Sequence, residues 1–352
     1  MEVNNSNNRV RSSSIELVRI LAMFMIVYYH LILFFIEPID SNPIFKAIQI
    51  PIHIGVILFV LISGYFGIKP SFKGFFKILC VVTIYFLPLR LWYVYKMDMG
   101  GWAMLDSLHV LSKTPYWFVR TYLCLYLISP LLNRCLNNLS AMVRAYYIFA
   151  LVIIAVYLGM LQCDITLIDG KNIANFMLLY IIGDTLKVAK EQLAKISTLK
   201  YWGSFVVLNS ILISLYMISA YSSLAEYIWN WSFPYYSPLL ILNSILFFIP
   251  FTRFTFYSKH INYIAGSVFA IYIIHHQPTI LDLCLRPISL WLYVSNKPIH
   301  VLLLLAILVL FIMIVCIFID KCLSPLWAIL QRCGSNIQNY FSICLKTLLK
   351  IQ

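Results

Sequence analysis

The sequence predicts an all-α polytopic membrane protein of about ten transmembrane helices. Both termini are expected on the cytoplasmic side, with interfacial helices outside the spans. Three observations carry this. Hydrophobic residues make up 62% of the 352 and charged ones 11%, with a mean hydropathy of +0.87, which is foreign to a water-soluble chain of this size. Apolar runs of about twenty residues, the length that crosses the hydrocarbon, recur along the chain. Lys and Arg fall unevenly between those runs.

The expected spans are 15–37, 45–66, 75–95, 115–133, 143–163, 172–188, 202–221, 237–251, 261–281 and 299–320. The eighth is short and open to a re-entrant reading. With the N-terminus in the cytoplasm, 17 of the 26 Lys and Arg count with inside segments and 7 with outside ones, those near the span ends (Lys46, Lys77, Arg90, Arg144 and Lys187) being counted with the segment they adjoin, while Arg19 and Arg120 are counted within spans. That bias supports an even number of spans, N-in and C-in. The polar opening 1–14 is a cytoplasmic segment. The run after it is longer than a signal-peptide core and lacks a small-residue cleavage site, so it reads as an uncleaved first span.

Two further segments have an interfacial pattern. One runs from Gly101 to Lys113, with Trp102, Met104, Leu105, Leu108 and Leu111 at helical spacing. The other is the tail 323–352, which follows a membrane domain spanning 15–322. No internal repeat or soluble domain is visible.

The net charge of +13 does not indicate a nucleic-acid partner, because the basic residues are dispersed between hydrophobic runs. The nine cysteines form no CxxC pair or Cys/His cluster and read as small hydrophobes, so no metal site is expected. No nucleophile elbow, P-loop or GxGxxG is present.

Candidate chemistry begins in the first span, IELVRILAMFMIVYYH, Ile15 to His30. Glu16 and Arg19 are three apart, share a face and can pair at the inner edge; an ion pair that anchors the helix is the plainer reading. His30 lies eleven residues beyond Arg19, about 16 Å along the axis and about 20° away around it. One helix face therefore carries a cation at its edge and an imidazole deep within. Ionisable groups at such depth mark function by default, and a neutral imidazole can take a proton from a hydroxyl. A histidine that only bonds a neighbouring helix remains the alternative.

This stretch resembles the signature of the acyltransferase-3 family of integral membrane acyltransferases, in which an Arg and a His eleven residues apart mark the first span. LFVLISGYF, Leu58 to Phe66, resembles its second-span SGY motif. PYWFVRTYLCLYLISPLLN, Pro115 to Asn133, resembles a segment of its polysaccharide-modifying members, those that act on O-antigen or exopolysaccharide. SVFAIYIIHHQP, Ser267 to Pro278, resembles its late YLIH segment. The four motifs stand in family order over nearly the whole chain.

The resemblance implies O-acyl transfer, usually of acetyl from acetyl-CoA, to a hydroxyl of a cell-surface or lipid-linked glycan. It implies a multi-pass protein of a bacterial inner membrane whose donor is a substrate rather than a resident cofactor. Acyl-CoA, glycan and membrane lipid are then its partners. His30 is the expected base, with Arg19, steadied by Glu16, supporting the site. Ser63, Tyr65, Trp117, Arg120 and His275 become candidates for substrate binding, although Ser63 also suits close helix packing and Arg120 also suits an interfacial anchor. His275 and His276 are adjacent and on one helix point about 100° apart, so only His275 is expected at the site. His53, His109, His260 and His300 read as interfacial or structural.

Two positions depart from the family pattern. Glu16 stands where Asp is usual. KGFFKILC, with Lys73 and Lys77, stands where many members carry two arginines. These lysines are candidates for the CoA phosphates, as point charges without a bidentate fork, or simply a positive inner loop. Two other readings of the chain are a flippase for a lipid-linked glycan and an acyltransferase with a non-glycan acceptor.

Overall fold

The computed structural model describes residues 12–110, 116–161 and 169–349. Among them the protein is all-α, with no strand. Pro115, Leu111 to Lys113 and the ends of the tail and of the expected fifth span lie outside the described residues.

The chain opens with α1, Ser13–Leu31, which continues as a π-helical turn over Ile32–Ile36. Then come α2, Pro43–Ile52, α3, Gly55–Phe66, α4, Phe72–Lys96, and the short α5, Gly101–Ser107. The middle of the chain holds α6, Trp117–Asn137, α7, Ala141–Ala155, α8, Ile173–Val188, and the single turn α9, Lys190–Ala194. It continues through α10, Thr198–Ser219, α11, Ser223–Ser232, and α12, Pro238–Arg253. The last elements are α13, Lys259–Ala265, α14, Val268–His275, α15, Pro278–Ile280, α16, Arg286–Val294, α17, Pro298–Cys322, and α18, Ser324–Leu349. Several starts are written in the sequence as caps. Asn42, Ser71, Ser140, Asn172, Ser197, Ser222 and Ser258 each accept a bond from a first-turn N–H, which satisfies a donor the helix cannot.

Among the described residues six helices are long and apolar enough to cross a membrane: Ser13–Ile36, Pro43–Phe66, Phe72–Lys96, Ala141–Gly159, Thr198–Ser219 and Pro298–Cys322. A seventh span is possible if Lys259–His275 and Pro278–Val294, bent by 70° at their junction, are counted together. The expected ten included three helices that fall short. The α6 helix has the length, but Arg120, Asn133 and Arg134 dilute its apolar character. The 16-residue α8 is too short and mostly buried, and α12 is also 16 residues long. A hydropathy window sees an apolar stretch and not whether its neighbour is lipid or protein.

The core is built around α1, whose Val18, Ala22, Val27, Leu31 and Ile32 are fully buried. The tightest crossing is α3 on α8. A Cβ at Gly64 would lie 2.1 Å from the Tyr180 carbonyl oxygen, and one at Gly183 would lie 2.3 Å from that of Leu61. Gly64 of the SGY motif is therefore what lets the two backbones touch, as small residues do in membrane interfaces. A buried Asn209–Asn243 pair exchanges amide bonds of 2.9 and 3.1 Å between α10 and α12. Arg144 pairs with Asp184 and bonds the Leu136 and Leu139 carbonyls, closing the end of α6 against α8.

The tail helix α18 packs antiparallel to the first half of α4. Trp327 meets Tyr85, position 334 faces Phe76, and Gln338 accepts from the Lys73 N–H at 3.1 Å. Asp320 anchors this corner, accepting from Tyr85 Oη at 2.8 Å, Trp327 Nε1 at 3.1 Å and Ser267 Oγ at 2.7 Å.

Candidate active site

Two cavities approach the middle of the molecule from opposite ends of α1. The first, about 360 Å³, is lined mainly by apolar side chains of α1, α3, α4, α6 and α14, with Arg19 and Lys77 as its cations. Glu16 is 3% exposed and accepts from Arg19 Nη1 at 2.6 Å, so the acid holds the arginine without itself lining the cavity. Ser63 lines the same space. Its hydroxyl donates to the Phe59 carbonyl at 2.9 Å and lies 3.2 Å from Tyr122 Oη.

The second cavity, about 520 Å³, begins at the other end of α1. His30, His53, His276, Trp117, Asp169 and Lys171 are among its lining residues. Residues close in sequence face different cavities: Phe118 and Tyr272 line the first, while Trp117 and His276, just past the end of α14, line the second. Ring centroids of Phe118 and Tyr272 are 5.7 Å apart, and those of Tyr272 and His276 are 6.0 Å apart. One layer of aromatic rings thus separates the two spaces.

His30 sits at this layer. Its Nδ1 is 3.0 Å from Nε2 of His275, whose own Nδ1 is 2.8 Å from the Ile271 carbonyl oxygen. These contacts assign the tautomers. A carbonyl only accepts, so His275 Nδ1 carries the hydrogen and its Nε2 is bare. That nitrogen accepts from His30 Nδ1–H, leaving the lone pair of His30 on Nε2. The chain of bonds fixes which nitrogen of His30 can take a proton, the role an orienting partner plays for any catalytic imidazole.

The sequence SVFAIYIIHHQP accounts for this geometry. Pro278 disfavours helix at Gln277 and begins the next helix at its first position, and Gln277 caps that helix through Oε1. The helix therefore stops at His275. Its free carbonyls would be costly in lipid and are closed locally: Ile273 accepts from Tyr116 Oη at 2.9 Å and Ile274 from the Gln277 N–H at 3.2 Å.

The break also brings both adjacent histidines beside His30, where an unbroken helix would send them about 100° apart. His276 is no longer on the helix, and its ring lies 4.7 Å from that of His30, edge to face. Nor is His53 merely structural in placement. It sits in the interruption between α2 and α3, stacked on Phe233 with ring centroids 4.1 Å apart, and lines the second cavity.

The other expected residues divide. Trp117 lines the second cavity. Tyr65 packs edge-on against Phe248 in the core and lines neither cavity. Arg120 is exposed and also lines neither. The lysines separate, with Lys77 at the first cavity and Lys73 on the surface beside α18. Sequence reasoning did not single out Asp169 and Lys171. Their signal was faint, a DGK turn between two apolar runs. Among the described residues no group of three metal-ligating side chains is close enough to hold a metal ion.

His30, His275 and His276 thus meet deep in a helical bundle, with the second cavity beside them. The acyltransferase-3 family model, an acyltransferase domain, matches residues 12–320. The chain belongs to that family and is a multi-pass membrane acyltransferase. Neither a curated protein nor a solved structure matches it.

Proposed function

We propose that the protein transfers an acyl group, acetyl in the first instance, from acyl-CoA to a hydroxyl of a cell-surface or lipid-linked glycan, with His30 as general base. The observation that carries this reading is the hydrogen-bonded chain from Ile271 through His275 to His30, which leaves the free lone pair on Nε2 of a histidine that lines the second cavity.

CoA is polyanionic and belongs at the Arg19 and Lys77 end, where the positive-inside pattern puts the cytoplasm. Its narrow, flexible arm suits the apolar first cavity. The acceptor suits the second, which is polar and aromatic. The thioester and the hydroxyl then meet where a single layer of rings has to part.

His30 Nε2 takes the hydroxyl proton as the oxygen adds to the thioester carbonyl. The tetrahedral intermediate collapses with cleavage of the carbon–sulfur bond. The departing CoA thiolate takes the proton back from His30, giving the ester and CoA thiol. Arg19, held by Glu16, and Lys77 bind the donor; His275 orients His30.

The test is acetyl transfer from labelled acetyl-CoA to the glycan fraction of the host membrane, using protein in lipid nanodiscs. Loss of transfer with His30→Ala at unchanged folding is expected. Full transfer by that variant would overturn the assignment of the base, and flux of glycan without CoA release would favour the flippase.

A further inference from the structure

Resting on the reading of the second cavity as the acceptor's, we propose that Asp169, Lys171 and the Trp117 ring form a subsite for an uncharged pyranose. The subsite grips two adjacent ring hydroxyls and leaves a third facing His30. The motivating feature is a charged pair beside an indole ring in the wall of this cavity. Lys171 Nζ lies 3.0 Å from Asp169 Oδ2 and 5.9 Å from the centroid of the Trp117 ring, and all three line the same space as His30.

The backbone that presents this pair is pinned. Asp169 has φ +57°, in the left-handed region that non-glycine residues rarely occupy, and its carbonyl accepts from the Tyr235 N–H at 2.9 Å. Gly170 follows at φ +71°; its carbonyl accepts from Asn175 Nδ2 at 2.9 Å, and a Cβ there would lie 2.7 Å from the Tyr236 nitrogen. An unusual backbone held by its surroundings is a device for fixing side chains at a binding site. Asp is among the few residues that tolerate it.

The chemistry selects the ligand. A carboxylate only accepts hydrogen bonds and an ammonium only donates. Side by side, they match a pair of neighbouring hydroxyls, one donating and the other accepting. A flat indole offers an apolar, electron-rich face to the C–H surface of a sugar ring. Charge argues against an acidic sugar. The two lysines at this cavity already have carboxylate partners, Lys171 in Asp169 and Lys46 in Glu37 at 2.9 Å, so an anion finds no uncompensated ammonium in either.

Saturation-transfer NMR on protein in lipid nanodiscs, free of glycoside detergent, tests this. The probes are the methyl glycosides of glucose, galactose and mannose, with methyl glucuronide and glycerol as charged and open-chain controls. At least one neutral glycoside is expected to bind about tenfold more tightly than either control. Asp169→Asn and Trp117→Ala are expected to weaken it about tenfold, and Trp117→Phe to retain most of the binding. Neutral glycosides that bind no better than glycerol, or as well in Asp169→Asn and Trp117→Ala as in the parent protein, would overturn the subsite. The measurement uses no acyl-CoA, so it stands apart from the transfer assay, whose failure would instead remove the acyltransfer reading given above.

Discussion

The two ends of α1 use opposite means. At the Arg19 end the helix is regular, the cavity is apolar, and charge comes from a side-chain pair three residues apart. At the His30 end every histidine sits at an irregularity. His30 precedes a π-helical turn, His53 fills the gap between α2 and α3, and His275 ends the helix at a 70° break that holds His276. Regular helix can guide a flexible arm past a row of apolar side chains. Bringing several imidazoles to one point requires breaking the repeat, because a helix sends neighbouring residues in different directions.

Breaking the chemical end should cost most. His30→Ala is expected to lower acyl transfer by about a thousandfold, within the range for losing a general base, with the donor KM little changed, as read by steady-state kinetics in nanodiscs. The support shared by both ends comes next. Gly64→Ala places a methyl into the Tyr180 backbone and is expected to cost about 3 kcal/mol, as overpacking does, seen as a lower unfolding midpoint.

His275→Ala should reduce kcat by roughly tenfold to a hundredfold, the scale for an orienting partner. His275→Gln, whose amide can accept from His30, should recover part of it. Equal losses in both would remove the orienting role. At the regular end, Arg19→Met should raise the acyl-CoA KM by about tenfold while kcat falls less, which sharpens the contrast with His30. The smallest effect lies away from both cavities. Asn209→Leu should destabilise by about 1 kcal/mol, and the double change with Asn243→Leu by less than the sum, because neither amide is then orphaned.

The regular end was the legible one. The eleven-residue spacing from Arg19 to His30 and the i, i+3 pair with Glu16 follow from helix geometry alone. The first three spans were located to within a few residues, as were the fifth, seventh and tenth expected spans apart from ends outside the described residues. The irregular end was legible only as composition. On an unbroken helix His275 and His276 point apart; they meet His30 together because the helix breaks, and Pro278 held the signal for that break. His53, Asp169 and Lys171 lie more than 20 residues from His30 and reach its cavity through tertiary packing, which no local pattern encodes. The smaller number of helices that meet the length and apolarity of a span has a related cause, since α8 reads as a membrane segment but is mostly buried against other helices, and polar residues dilute α6.

The 70° break turns the repair of a backbone into the frame of the histidines. Inside hydrocarbon, the end of a helix leaves carbonyl groups that water cannot reach, and something in the protein has to meet them. Tyr116 Oη meets that of Ile273 and the Gln277 N–H that of Ile274, while the Ile271 carbonyl, one turn back inside α14, also accepts from the imidazole that bonds His30. The last turn that aims His275 is therefore held in place by groups whose first task is to keep its end from standing bare in lipid. A substitution at Tyr116 acts on His275 through that backbone, and stability and the aim of the imidazole fall together.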